Sequence, residues 1–196
     1  MSTSHYLPDN LKSHTKAMIF VDGENLAIRY KNIIKGNSPE QHVSYCKDIF
    51  VWSRYANIPH HINCEVIRKY YYTAVQGDDI KLDGVLHQLK EAGIESPRVF
   101  KKQSGKKSKR VDITLATDML THAHRVNYDI AILVAGDDDY VPLVKAIKEE
   151  GRRVVLWFFE SSDSLSKNLK LESDYFLDIS WFLTKPQDEV RKYYNW

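Results

Sequence analysis

The sequence predicts an α/β protein with a mainly parallel central sheet covered by helices on both faces. Short apolar runs at residues 17–21, 130–135 and 154–159 have the pattern of strands buried on both sides. Between such runs lie stretches whose apolar residues recur at helical spacing. The two kinds alternate along the chain, as they do where crossover helices join parallel strands. At 196 residues, 43% hydrophobic and 28% charged, the chain can bury one sizeable core, and wholesale disorder is excluded.

The first run ends at Asp22, so a buried strand gives way to a turn there. Residues 43–55, rich in aromatics, read as a helix. Residues 65–73 are β-branched and tyrosine-rich and read as a strand, with Tyr70, Tyr71 and Tyr72 packing within it. Leu82, Val85, Leu86 and Leu89 fall at i, i+3, i+4 and i+7, with Asp79 ahead as a cap and Gly93 as the stop. Residues 98–101 suggest a short strand. Ala116, Met119, Leu120 and Ala123 mark the next helix, followed by the strand at 130–135. Asp139 is placed to cap the helix after that. Pro142 suits its first turn, Tyr140, Leu143, Val144 and Ile147 form its inner face, and Gly151 ends it. Residues 154–159 and 175–179 supply two more strands. The expected organisation is an N-terminal extension over 1–15, one domain over 16–180, and an aromatic extension over 181–196. Trp181 and Phe182 are expected to close the core. Tyr193, Tyr194 and Trp196 are expected to dock on the body or on a second subunit, as in a homodimer.

Several function classes fall away on composition. Cys46 and Cys64 lie 18 positions apart with no thiol beside either, which excludes a zinc ribbon and a disulfide scaffold. His60-His61 and His122-x-His124 lack a third partner at zinc spacing and read as surface residues. No apolar run approaches the roughly 20 residues of a membrane helix, and the first sixteen residues lack the apolar core of a signal peptide. The expectation is a cytoplasmic protein without membrane contact. No Gly-rich Walker loop is present, so a phosphate-binding NTPase is excluded. A haloacid-dehalogenase-type phosphatase would want an aspartate where Glu24 stands. A Toprim-like domain also uses a strand-end Asp-x-Asp and is not excluded by Asp137 and Asp139 alone.

Ligands of open parallel sheets sit beyond the carboxyl ends of the strands. Those ends carry Asp22 after the first strand and Asp137, Asp138 and Asp139 after the 130–135 strand. Asp112 reaches the same edge from the start of a crossover helix, on the face of Ala116, Met119 and Ala123. Asp118, six residues on, turns away from that stripe. Crowded carboxylates repel one another unless a cation lies between them. A hard divalent ion, Mg²⁺ or Mn²⁺, takes oxygen ligands, can activate a bound water and can neutralise charge on a phosphoryl oxygen.

Three ordered segments carry a family resemblance: Phe20-Val-Asp-Gly-Glu-Asn25, Lys109-Arg-Val-Asp-Ile-Thr-Leu-Ala-Thr-Asp118, and Leu133-Val-Ala-Gly-Asp-Asp-Asp-Tyr-Val-Pro-Leu-Val144. They resemble the signatures of NYN domains, in the LabA-like branch of the PIN-like nuclease superfamily, over about residues 16–180. The resemblance implies a Rossmann-like α/β/α sandwich and a metal-dependent ribonuclease. It implies Asp22, Asp112, Asp137 and Asp139 as the catalytic, metal-binding acids, Asn25 as an orienting residue beside them, and Asp118 as the second motif's other aspartate. Ala135 and Asp138 stand where the family usually has serine, and the extra charge of Asp138 would bear on metal affinity.

Six of the ten residues from Lys101 to Arg110 are basic, and the run leads directly into Asp112. A basic loop beside an acidic, metal-loaded crevice would hold phosphates, with Lys106, Lys107, Lys109 and Arg110 as the contacts. The expected activity is endonucleolytic hydrolysis of single-stranded or structured RNA by a metal-activated water. The alternative is a non-catalytic RNA-binding or regulatory module on the same scaffold.

Overall fold

Strand β1 (Lys16–Asp22) runs through the centre of the protein and is buried from Ala17 onward. The computed structural model describes residues 15–56, 64–102 and 109–194. After β1 come α1 (Gly23–Ile34), a hairpin of β2 (Val43–Cys46) and β3 (Phe50–Ser53), β4 (Glu65–Val75), α2 (Asp79–Glu91), β5 (Ser96–Lys101) and α3 (Lys109–His124). Then follow β6 (Ile130–Val134), a 3-10 turn (Asp138–Tyr140), α4 (Val141–Glu149), β7 (Arg153–Phe158), α5 (Lys167–Glu172), β8 (Tyr175–Asp178), α6 (Ser180–Thr184) and α7 (Gln187–Tyr194). Six strands form one sheet in the order β5-β4-β1-β6-β7-β8, and every pairing in it is parallel.

The two-residue period of the strands divides the core. Ala17, Ile19 and Val21 face one layer, with Leu26, Ala27 and Tyr30 of α1, Val85 and Leu89 of α2, the hairpin, and Phe182 and Leu183 of α6. Met18 and Phe20 face the other, with Val111, Leu115, Met119 and Ala123 of α3 and Leu143, Val144 and Ile147 of α4. The expected α/β sandwich with a parallel sheet is the fold observed.

Four local readings change. Residues 43–55 are a hairpin rather than a helix: β2 and β3 pair antiparallel from Val43↔Ser53 to Cys46↔Phe50. Asp48 turns the chain in the left-handed region (φ 59°), at the third position of a turn closed by the Ile49 N–H on the Cys46 carbonyl at 3.0 Å, a conformation that aspartate tolerates better than most residues. The Tyr71 hydroxyl donates to the Val51 carbonyl and accepts from its N–H, both at 3.1 Å, so a partner from the sheet interior pins the hairpin. The turn expected after Asp22 is the start of α1. Asp78, not Asp79, caps α2 by accepting from the Lys81 N–H. Asp139 caps nothing; Asp137 caps the 3-10 turn, and α4 begins after Tyr140 with Pro142 in its first turn.

The tyrosine run is strand packing. Tyr70 stacks on Phe20 at 5.4 Å and 3°, while Tyr71 points to the opposite layer. His122 is not a surface residue: its ring is held by the Tyr70 hydroxyl (2.9 Å) and the Asn127 amide (2.8 Å), and burial lowers its pKa. His124 is exposed, beside Glu150 at 3.5 Å. His60 and His61 lie outside the described residues. No helix among the described residues is long and apolar enough to cross a membrane.

At the C-terminal end Phe182 packs on Trp157 at 5.6 Å, Val190 of α7 is fully buried, and Arg191 donates to the Tyr55 hydroxyl at 2.9 Å. Trp196 and the side chains of Tyr193 and Tyr194 lie outside the described residues. Burying a valine stabilises by about 1.5–3 kcal/mol, so truncation after Gln187 is expected to lower the melting temperature by roughly 3–12 °C. A thermal scan with an unmoved transition would show that α7 adds nothing to the core.

Candidate active site

The strand order reverses at β1. From it the chain builds β4 and β5 on one side, then crosses through α3 to lay β6, β7 and β8 on the other. The connections diverge at the carboxyl ends of β1 and β6, α1 packing on one face of the sheet and α4 on the other, and the crevice between such connections is where open parallel sheets bind ligands. Asp22 ends β1, Asp137 follows β6, and Asp112 lies in the first turn of α3.

Asp22 is buried, with 5% of its surface exposed. One carboxyl oxygen caps α1 by accepting from the Asn25 N–H at 3.1 Å. The other accepts from the Tyr140 hydroxyl at 3.0 Å. The same hydroxyl lies 3.4 Å from an oxygen of Asp112. One proton cannot serve both acids at once, so Tyr140 bridges two carboxyls that compete for it. Burial pushes the Asp22 carboxyl up to about 7; the Asn25 N–H opposes this, and the charge of Asp112 adds to it. Burial also raises Asp112, against the Tyr140 bond, with Asp137, Glu24 and Asp139 pushing the same way. Tyr140, itself buried between acids, is shifted far upward and stays protonated.

The other acids separate by role. The buried line of α3 runs through Val111, Leu115, Met119 and Ala123, with Ala116 partly buried. Asp112 therefore sits at the rim of that stripe, exposed as a residue. Asp137 is exposed, and its carboxylate accepts from the Asp139 N–H at 3.2 Å. Asp138 turns away from the crevice and accepts from the Ser166 hydroxyl and, at 3.1 Å, the Asn168 amide. It ties the strand-end loop to α5. Asp139 acts on Asp112 through its charge. Asp118 accepts from the Tyr72 hydroxyl at 2.9 Å and lies 3.8 Å from Arg98, an anchor between α3 and the sheet.

Asn25 is half-buried, and its side-chain oxygen is enclosed with no hydrogen-bond partner among the described residues. Lys106 and Lys107 lie outside the described residues, as does the side chain of Lys109. The Arg110 guanidinium covers the Phe100 ring at 4.9 Å.

Three side chains at this site escaped the sequence reading. Tyr140 has the spacing of a core residue of the next helix, and nothing in the sequence marks its hydroxyl. Glu24, in the first turn of α1, acts electrostatically on both Asp22 and Asp112; its place between Asp22 and Asn25 was the available signal. Lys102 is ion-paired with Glu24; the sequence marks it only as a member of the basic run from Lys101 to Arg110, not as a contact of the acids.

Among the described residues no three His, Cys, Asp or Glu side chains lie close enough to hold one ion. The donors present still suit a hard cation. Magnesium commonly takes one or two carboxylates, keeps several waters and uses substrate phosphates for the rest. The paired carboxyls of Asp22 and Asp112 and the unpartnered Asn25 oxygen match that demand.

The fold is similar to that of a protein of unknown function from Vibrio parahaemolyticus, with a TM-score of 0.60 at 21% identity over 93% of this chain and 99% of that one. At this identity the likeness is one of fold alone. No curated protein matches the chain. The NYN domain model matches residues 16–180, the span from β1 to the start of α6 that holds all the acids of the crevice. The chain belongs to the NYN domain family.

Proposed function

We propose that this protein is a metal-dependent endoribonuclease acting at the β1–β6 crevice. The observation that carries the reading is the pair of carboxyls, Asp22 and Asp112, crowded about one Tyr140 hydroxyl where the strand order reverses. Membership of a family of PIN-like nucleases supports it.

Asp22 and Asp112, together with Asp137 and Asp139, whose charges act on Asp112, would hold Mg²⁺ or Mn²⁺, with the Asn25 oxygen orienting the donors. The cation, when bound, supplies an activated water and neutralises charge on the scissile phosphate. Tyr140, whose hydroxyl lies within reach of both carboxyls, keeps the two in register. Lys106, Lys107, Lys109 and Arg110 grip the backbone phosphates flanking the bond. With the 3′ oxygen as leaving group, the products carry a 5′-phosphate and a 3′-hydroxyl. The 2′-hydroxyl has no required part, so the chemistry does not exclude DNA.

A non-catalytic RNA-binding scaffold is the second reading, favoured by the exposure of Asp137 and Asp139 and the lack of a three-acid cluster among the described residues. End-labelled single-stranded RNA, structured RNA and single-stranded DNA, incubated with Mn²⁺, Mg²⁺ or EDTA, decide between them. The nuclease reading expects RNA cleavage that requires a divalent ion and falls about 10²–10³-fold in Asp137→Asn. RNA binding without cleavage in any metal would leave the scaffold reading in its place.

A further inference from the structure

Lys102 stands just past the end of β5, where its N–H donates to the Val75 carbonyl at 2.8 Å. That bond extends the sheet pairing by one residue and sets where the side chain departs. Its ammonium is bonded to Glu24, in the first turn of α1, and the two side chains are only 30% and 23% exposed. The preceding residue, Lys101, pairs instead with Asp79, and that pair is 58% and 87% exposed. Successive residues leave a strand on opposite faces, so adjacent lysines meet different surroundings. Lys101 reaches a solvated helix end, while Lys102 reaches Glu24, two residues past Asp22.

Two further facts bear on what Lys102 does there. Glu24 stands two residues past Asp22 in the first turn of α1, and its charge acts on both Asp22 and Asp112, so the ammonium bonded to it is held one side chain away from those acids. Among the described residues no other ammonium or guanidinium is bonded to Glu24, Asp22, Asp112, Asp137 or Asp139. A site lined by carboxylates repels a nucleic-acid backbone unless it also offers positive charge. A lysine has three donors, enough to keep Glu24 and bond a phosphate oxygen together. A half-buried cation also loses less to salt screening than one on the open surface.

We propose that Lys102, held at the crevice by Glu24, is a phosphate-binding residue of the active site. It receives the backbone phosphate of a single-stranded RNA beside the bond to be cut. The inference rests on the nuclease reading for the identity of its ligand, but it is tested without turnover.

The test measures binding of a fluorescently labelled single-stranded RNA to the full chain in EDTA over a series of salt concentrations. Each phosphate contact on a single strand contributes about 0.7 to the slope of log K against log salt. Lys102→Met, which keeps the apolar stem, is expected to flatten the slope by about that amount. Lys102→Arg is expected to restore it. Lys31→Met, which breaks an exposed pair with Asp48, should match the parent. Lys102→Gln serves in place of the methionine variant should the latter not fold. A slope unchanged in the folded Met or Gln variant, or no binding by the parent protein, overturns the inference. Normal binding and a flattened slope without cleavage in any metal would sink the nuclease reading and leave the Lys102 contact standing.

Discussion

Asp22→Asn is expected to abolish RNA cleavage while raising the melting temperature of the metal-free protein at neutral pH. Asparagine keeps the α1 cap, because its side-chain oxygen still accepts from the Asn25 N–H. It carries no charge to desolvate. In the parent, burial first and the neighbouring Asp112 charge after it raise the Asp22 carboxyl from 3.8 to about 7. The folded state thus keeps a proton that the unfolded chain releases near pH 4. Stability falls as pH rises through the window from about 4 to 7, by on the order of a few kcal/mol. Below that window both states hold the proton; above it neither does, and the penalty stays constant. Asp112, also raised, adds a slope of the same sign. Thermal melts in EDTA from pH 4 to 8 should show a falling curve for the parent and a flatter one for Asp22→Asn. Parallel curves would show that Asp22 ionises in the folded protein without cost, and retained cleavage would remove it from the site. Added Mn²⁺ should stabilise the parent more than the variant.

Gly23→Ala should be among the most damaging single changes outside the acids. A Cβ at Gly23 would overlap the Tyr71 ring. That ring cannot withdraw freely, because it is fully buried and its hydroxyl exchanges two hydrogen bonds with Val51. Overpacking of this kind costs about 1–3 kcal/mol or more, a drop of roughly 6–12 °C at the upper figure for a chain of this size. Gly23 also follows Asp22 directly, so any shift that relieves the overlap moves the carboxyl away from Tyr140. The cost should shrink in a Tyr71→Leu background, where the ring is gone. A double-mutant cycle on thermal stability measures that coupling, and strict additivity would show that the ring is not what excludes the methyl group.

Some of this was legible in the residues. The apolar runs that became β1, β6 and β7 are buried on both faces, and only a two-sided environment suits such runs, so the parallel sandwich could be read directly. Asp22 and Asp137 could be placed as well, since a carboxylate at the end of a buried run has to emerge at the edge of the sheet. The helix face of Asp112 was nearly right: periodicity located the stripe, and the true line passes through Val111 and Leu115, which leaves Asp112 at its margin. Residues 43–55 failed because a short aromatic stretch has no period strong enough to outweigh what it packs on. The hairpin depends on Tyr71, whose hydroxyl meets Val51 from 20 residues away.

What the sequence by itself determined about this protein is the fold class, the family signatures and the strand ends on which acids stand, all set by local pattern. Only the tertiary structure decided which groups meet. Tyr140 reaches Asp22 across 118 positions and Lys102 reaches Glu24 across 78. The hydrophobic effect that buries these faces has no direction, so it says that a side chain goes inward and not whose hydrogen bond it finds. That partner is fixed by the crossover connections and by the register of strands far apart in the chain.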